Sequence, residues 1–127
     1  MTNGFYGKTI TIDLSNGEKI TVVAQQNDTG RYLDIAIKDK GVDYDLTGKT
    51  IRAYVIKADG NKCFVDCDIV TDDENVTNLC RMEITSQMLA LNNKAIVQLK
   101  ITDGENFIKS YPFEIMSNRD YTDDAAI

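Results

Sequence analysis

The sequence predicts an all-β fold, an antiparallel β-sandwich of immunoglobulin-like type with eight or nine short strands. Apolar residues alternate with polar ones in short runs, which is the period of a half-buried strand. Clusters of Gly, Asn and Asp separate these runs and are typical of turns. No pattern long enough for a crossover helix lies between them. A closed barrel is the main alternative.

The first half of the chain contains three predicted strands. Alternation over residues 10–14 and 20–24, with Asn16-Gly17 as a turn signal, predicts a hairpin. Residues 32–38 alternate in the same way and predict a third strand, which ends in a loop around Gly41. The segment Asp45-Leu46-Thr47-Gly48 then predicts a turn that leads into the next strand.

The central hairpin is predicted from IRAYVIKADGNKCFVDCDI, residues 51–69. A two-residue loop would mix charged and apolar side chains on one face. A three-residue loop, residues 59–61, instead places Val55 opposite Val65 and Ala53 opposite Cys67, so that one face is apolar. We therefore predict the second register. Its other face carries three pairs: Arg52 with Asp68, Tyr54 with Asp66, and Ile56 with Phe64.

The last third of the chain continues the pattern. Strands are predicted over residues 79–84, 95–101 and 107–115, with a turn at Asp103-Gly104. SQMLALNN, residues 86–93, predicts one helical turn with Ser86 as a possible N-cap. A β-sandwich domain over residues 1–118 and a polar tail or linker stub over residues 119–127 are expected. The predicted core comprises Ile10, Ile12, Ile35, Ile37, Val55, Val65, Cys67, Met82, Val97, Leu99 and Phe113.

The cysteines are predicted to be reduced and structural. Cys63 and Cys67 lie on one face of a strand, about 13 Å apart at roughly 3.3 Å per residue. They can neither bridge each other nor share a zinc ion. Together with Cys80 they make an odd number in a chain without a signal peptide, which favours buried thiols.

Composition argues against several functions. The net charge is −6 and no basic cluster is present, so nucleic acid is not expected as a partner. The chain contains no histidine and no Gly-rich phosphate loop, so neither an enzyme nor a cofactor is expected. Asp72, Asp73 and Glu74 offer oxygen ligands for calcium, but without EF-hand spacing a solvated hairpin loop is favoured. No membrane span or signal peptide is predicted, and synthesis in the bacterial cytoplasm is expected.

The order of motifs resembles the N-terminal domain of phage upper baseplate proteins. The resemblance rests on residues 25–28 (QQND), 32–39 (YLDIAIKD), 45–60 (DLTGKTIRAYVIKADG), 83–101 (EITSQMLALNNKAIVQLKI) and 107–115 (FIKSYPFEI). It departs at Asn92-Asn93, where a turn glycine is expected, and in lacking a long C-terminal extension.

The resemblance implies a scaffold module in the virion tail baseplate. Such a module would dock on the distal tail hub and carry or orient receptor-binding subunits in host attachment. Homo-oligomers are also expected. The alternative is a β-sandwich binding module for a host cell-surface glycan or protein, although Trp is absent and the six tyrosines are scattered.

The candidate contact surface is the outward face of the central hairpin. The predicted register places Tyr54, Ile56 and Phe64 there, and a contiguous apolar cluster on a solvent-facing strand marks a contact surface. The alternative is that a loop or the C-terminal segment covers these residues.

Overall fold

The computed structural model describes residues 7–25, 31–57, 59–85 and 94–118, and in these ranges every regular element is a strand. The strands are β1 Gly7–Asp13, β2 Thr21–Gln25, β3 Arg31–Asp39, β4 Val42–Asp43, β5 Thr50–Ile56, β6 Lys62–Asp72, β7 Asn75–Ile84, β8 Lys94–Asp103, β9 Asn106–Lys109 and β10 Phe113–Asn118. The all-β prediction is confirmed, but the described residues form ten strands rather than the predicted eight or nine. The predicted helical turn at Ser86 and the predicted tail lie outside the described residues.

All ten strands belong to one sheet, in the order β1-β3-β7-β6-β5-β8-β10-β2, with β4 on β3 and β9 on β8. Strand β6 joins two halves, because its residues 62–67 pair with β5 and its residues 68–72 pair with β7. We call β1, β3, β4 and β7 half A, and β5, β8, β9, β10 and β2 half B. The sheet curls into a half-barrel, so the immunoglobulin-like sandwich is not confirmed.

The predicted first hairpin is wrong. Strand β1 pairs with β3, strand β2 pairs with β10, both pairings are parallel, and β1 and β2 lie at opposite ends of the strand order. The turn signal at Asn16-Gly17 is local, and a linker occupies residues 14–20 instead. There the Leu14 N–H donates to Lys38 O (2.8 Å) and the Glu114 N–H donates to Ile20 O (3.0 Å). The linker thus extends both parallel pairings and brings the two sheet edges within about 28 Å, at roughly 3.5 Å per residue.

One apolar cluster lies on the concave side of the curled sheet. Every predicted core residue is buried except Ile10 and Val65, which are partly buried and pack against the cluster, so the predicted core is confirmed. The fully buried side chains of largest volume are Phe113, Leu33, Ile35, Ile37, Leu46, Met82, Leu99, Ile101, Ile115, Val55 and Val97.

Two of the three cysteines belong to this core. Cys67 and Cys80 are buried, Cys63 is partly buried, and all three are free thiols. A hydrogen bond with Cys67, followed by burial, raises the pKa of the Cys80 thiol. A thiol that stays protonated is a poor nucleophile and a poor metal ligand, so Cys80 acts as a small apolar side chain.

The register of the central hairpin differs from the prediction by two residues. Ala53 lies opposite Val65, Val55 opposite Cys63, and Tyr54 opposite Phe64. The loop closes earlier than expected, because the Lys57 N–H donates to Asn61 O and the Gly60 N–H donates to Lys57 O. A shift by an even number of residues keeps each side chain on its predicted face. The predicted faces are therefore confirmed, whereas the predicted pairs are wrong.

The segment FIKSYPFEI forms two strands rather than one, and Ser110 lies where they separate. Strands β9 and β10 pair with β8 in registers that differ by one residue. The Ser110 N–H donates to Leu99 O (2.9 Å), and the Leu99 N–H donates to Ser110 Oγ (3.0 Å). Ser110 is buried. Its hydroxyl thus replaces a backbone carbonyl as the acceptor for a buried amide.

Replacing Ser110 with alanine should therefore destabilise the fold. The Leu99 N–H would lose its acceptor inside the core, which costs about 1–3 kcal/mol of unfolding free energy. Urea denaturation followed by circular dichroism measures this loss. Ser110→Thr keeps the hydroxyl and should retain more stability than Ser110→Ala. Equal stability of wild type and Ser110→Ala would contradict the assigned hydrogen bond.

Asp13 ties the end of β1 to the turn between β3 and β4. Its carboxylate accepts hydrogen bonds from the Ser15 hydroxyl and from the backbone amides of Ser15, Lys40 and Gly41, at 2.6–2.9 Å. Lys40 and Gly41 have positive φ, at 55° and 80°. The hydrogen bonds from Ser15, and then those from the turn, lower the pKa of Asp13 below its ordinary value.

Asp13 should consequently contribute to a pH dependence of stability. Because its pKa is lower in the folded chain than in the unfolded one, its contribution is present above about pH 4 and is lost as the pH falls through the folded pKa. Asp13→Ala should lower the melting temperature at pH 7, and the difference from wild type should shrink at lower pH. Glu18→Ala, which removes an exposed carboxylate from the same linker, is the control. A difference that does not change with pH would refute this assignment.

Candidate docking face

The outer face of half B brings the sequence-predicted contact residues together. Tyr54 lies opposite Phe64, and Ile56 lies opposite Ile96 on the adjacent strand β8. These four side chains are 40%, 57%, 43% and 43% exposed, respectively. Tyr54, Ile56 and Phe64 therefore lie together on one outward face, as the sequence predicted. The direct neighbours of Ile56 are Lys62 and Ile96, not Phe64.

Ile96 is the member that the sequence analysis missed. It lies between Ala95 and Val97, which are both buried. Alternation alone predicts that its side chain points outward. Its position beside Ile56 follows from the pairing of β5 with β8, which local patterns do not reveal.

The two aromatic rings on this face contact each other, and one of them, Phe64, lies under the guanidinium of an ion pair. The Tyr54 and Phe64 centroids lie 6.3 Å apart with their planes tilted by 48°. Arg52 Cζ lies 4.1 Å from the Phe64 centroid. Arg52 Nε donates a hydrogen bond to Asp66 Oδ1 at 2.7 Å, and Arg52 Nη2 donates a longer one to Asp66 Oδ2 at 3.4 Å. The ion pair lowers the pKa of Asp66 and raises that of Arg52. A paired guanidinium stacked on a ring restricts both side chains.

A row of basic residues borders the apolar residues. Arg52 lies directly opposite Lys100, and Lys100 lies directly opposite Lys109. Like charges on directly opposed residues are destabilising. Lys100 Nζ and Lys109 Nζ lie 4.3 and 5.9 Å from the Phe107 centroid. Within the described ranges, no carboxylate lies within ion-pair distance of either lysine.

We call this surface the docking face and define it by eight outward side chains: Arg52, Tyr54, Ile56, Lys62, Phe64, Ile96, Lys100 and Lys109. Its centre is concave. A depression of about 310 Å³ is lined by Tyr54, Ile56 and the three lysines, and a larger one of about 590 Å³ adjoins the basic row near Asp66 and Asp68. The face thus combines apolar, aromatic and cationic groups around shallow concavities.

The other charged surface lies at one end of half A, at the turns β3–β4 and β6–β7. Asp73 and Glu74 form the β6–β7 turn with φ of 51° and 69°, so the acidic segment is a tight hairpin turn, as predicted. Among the described residues, no group of three or more His, Cys, Asp or Glu is placed to hold a metal ion. We call this surface the acidic end. Its carboxylates are Asp39, Asp43, Asp72, Asp73 and Glu74.

The comparisons with known proteins give one informative result. No family model and no curated protein matches the chain. Nineteen solved chains match in structure, and one of them is the N-terminal domain of phage TP901-1 ORF48. The superposition has a TM-score of 0.62 at 10% sequence identity and covers 89% of this chain and 99% of that one. The two chains share a fold.

This match confirms the resemblance to the N-terminal domain of phage upper baseplate proteins at the level of the fold. At 10% identity it transfers no residue role, so the docking face rests on its own geometry. In the described ranges, no helix has the length and apolar character needed to cross a membrane.

Proposed function

We propose that this chain is a structural, non-catalytic domain of a phage tail baseplate. The observation that supports the proposal is the fold shared with the N-terminal domain of phage TP901-1 ORF48, a baseplate protein, over 89% of this chain. In this role the domain lies in the virion tail and assembles with other tail or baseplate proteins. Its specific task is to dock on the distal tail hub and to carry or orient receptor-binding subunits.

The docking face supports an assembly role. Single exposed apolar residues are common on proteins, but a contiguous group of four is typical of a contact surface. Tyr and Arg are enriched among the residues that contribute most to binding at protein interfaces, and the face contains Tyr54 and Arg52 side by side with Phe64. The Asp66 ion pair holds the Arg52 guanidinium over the Phe64 ring, so binding orders few further rotamers of these two side chains.

The rest of the domain suits a scaffold. Its strands are joined by hydrogen bonds into one sheet, and the sheet curls around one core. A face built on the middle strands of such a sheet keeps its shape when a partner pulls on it, because β5 is paired on both sides, to β6 and to β8.

The proposal is tested in a phage that lacks the gene and is complemented by variants. Ile56→Glu combined with Ile96→Lys places opposite charges on directly opposed residues, so the fold should be retained while the apolar centre of the docking face is lost. We expect a nearly unchanged melting temperature, loss of the protein from purified baseplates, and loss of plaque formation.

The matched control is Thr9→Lys combined with Thr11→Glu, which places the lysine opposite Asp34. It introduces the same two charges at exposed positions of β1, on the outer face of half A. This variant should assemble and form plaques like wild type. If the folded docking-face variant still assembles into normal baseplates, the docking face does not have the proposed docking role. Absence of the wild-type protein from purified baseplates would sink the proposed function itself.

A further inference from the structure

We propose that the docking face binds the acidic end of a second copy of this chain. The contact deepens the proposed function by naming one partner of the docking face, and it does not depend on which tail protein binds elsewhere. The first observation is the basic row, in which Arg52, Lys100 and Lys109 lie directly opposite one another on β5, β8 and β9. The repulsion between these cationic side chains lowers the stability of the sheet, and an anionic partner that binds the row would neutralise it.

The charge of the row is only partly balanced within the described part of the chain. Arg52 is paired with Asp66, whereas no described carboxylate pairs with Lys62, Lys100 or Lys109. The docking face, with Asp66 included, has four basic groups and one acidic group. This excess of positive charge stands out in a chain whose net charge is −6, because the rest of the chain is correspondingly more acidic.

The acidic end has the complementary composition. Its five carboxylates outnumber its two lysines, Lys38 and Lys40, and Asp13 adds a sixth carboxylate at the β3–β4 turn. It also exposes two apolar side chains, Val42 and Val76, at 67% and 40%. Exposed apolar side chains with neighbouring carboxylates therefore meet exposed apolar side chains with neighbouring basic groups, and such charge complementarity is typical of a specific interface.

The geometry makes this contact head-to-tail. The docking face is the outer surface of half B, whereas the acidic end comprises two turns at one end of half A. Different surfaces meet, so a pair of copies keeps one free docking face and one free acidic end, and association continues into a ring or an open chain. Since charge carries much of the attraction, association should weaken as salt shortens the Debye length to about 3 Å at 1 M.

The test is sedimentation velocity of the purified chain over a range of protein and salt concentrations. The wild type should self-associate at low salt and dissociate at 1 M salt. Lys100→Glu combined with Lys109→Glu reverses the docking face, and Asp72→Lys combined with Glu74→Lys reverses the acidic end. Each reversed variant alone should lose association about tenfold or more, because like charges then meet.

Recombining the reversed charges separates this contact from nonspecific attraction. A mixture of the two variants should associate again, and so should one chain that carries all four substitutions. Thr11→Glu, which lies opposite Ala36, adds acidic charge on the outer face of half A and should associate like wild type. Circular dichroism of every variant checks the fold.

A wild type that stays monomeric at low salt and high concentration overturns the proposal, as does association that survives either reversal. Failure of the recombined variants to associate, with both still folded, also overturns it. In each case, incorporation of the wild-type protein into baseplates would leave the proposed function standing, and loss of the docking-face variant from baseplates would then indicate that the face binds another protein, such as an acidic tail hub.

Discussion

The long strand β6 is the constraint on which the rest of the structure depends. Its first part pairs with β5 and its second part pairs with β7, with a register shift between Ile69 and Thr71. A bulge of this kind bends a strand and increases its local twist. Because one strand belongs to both halves, the sheet has to curl rather than split, and its concave side encloses a single core. The buried Cys67 and the partly buried Ile69, on either side of the change of partner, belong to that core or pack against it.

The curl also decides what the outside of the molecule offers. Along β5, Ala53 and Val55 point into the core, while the alternate residues Arg52, Tyr54 and Ile56 point outward. The docking face is therefore built on a strand whose other side is fixed by core packing. The parallel edges contribute in another way. Strands β1 and β2 are the two edges of the sheet, and a short linker joins them. The covalent chain therefore limits how far the edges can separate, in addition to the packing of the core. The two charged surfaces then lie on different halves of one body, which is what a head-to-tail contact requires.

The limits of sequence reasoning show most clearly in the hairpins. The central hairpin was predicted correctly in its faces and wrongly in its pairs, because the hydrophobic pattern distinguishes odd from even shifts but not one even shift from another. There the hydrogen bonds from Asn61 to the Asp59 side chain, at 2.8 and 2.9 Å, stabilise a loop that closes at Lys57. The first hairpin failed for a different reason. The chain turns at Leu14 and Ser15 rather than at Asn16-Gly17, and β1 pairs with β3 over seven residues while β2 pairs with β10 over five.

The sequence by itself determined the strand class, the buried side of nearly every strand, the turns at Gly41, Gly48, Gly60 and Gly104, and the outward position of Tyr54, Ile56 and Phe64. These properties depend on neighbours along the chain, whose effects are visible as period-two alternation and as residues that tolerate positive φ. The tertiary structure alone decided the order of the strands, the two parallel edges and the shared strand β6. It thereby also decided that Ile96 joins Ile56 and that Arg52, Lys100 and Lys109 form one row. Such neighbours come from distant parts of the chain, and their pairing is chosen by the burial of the whole core rather than by any local pattern.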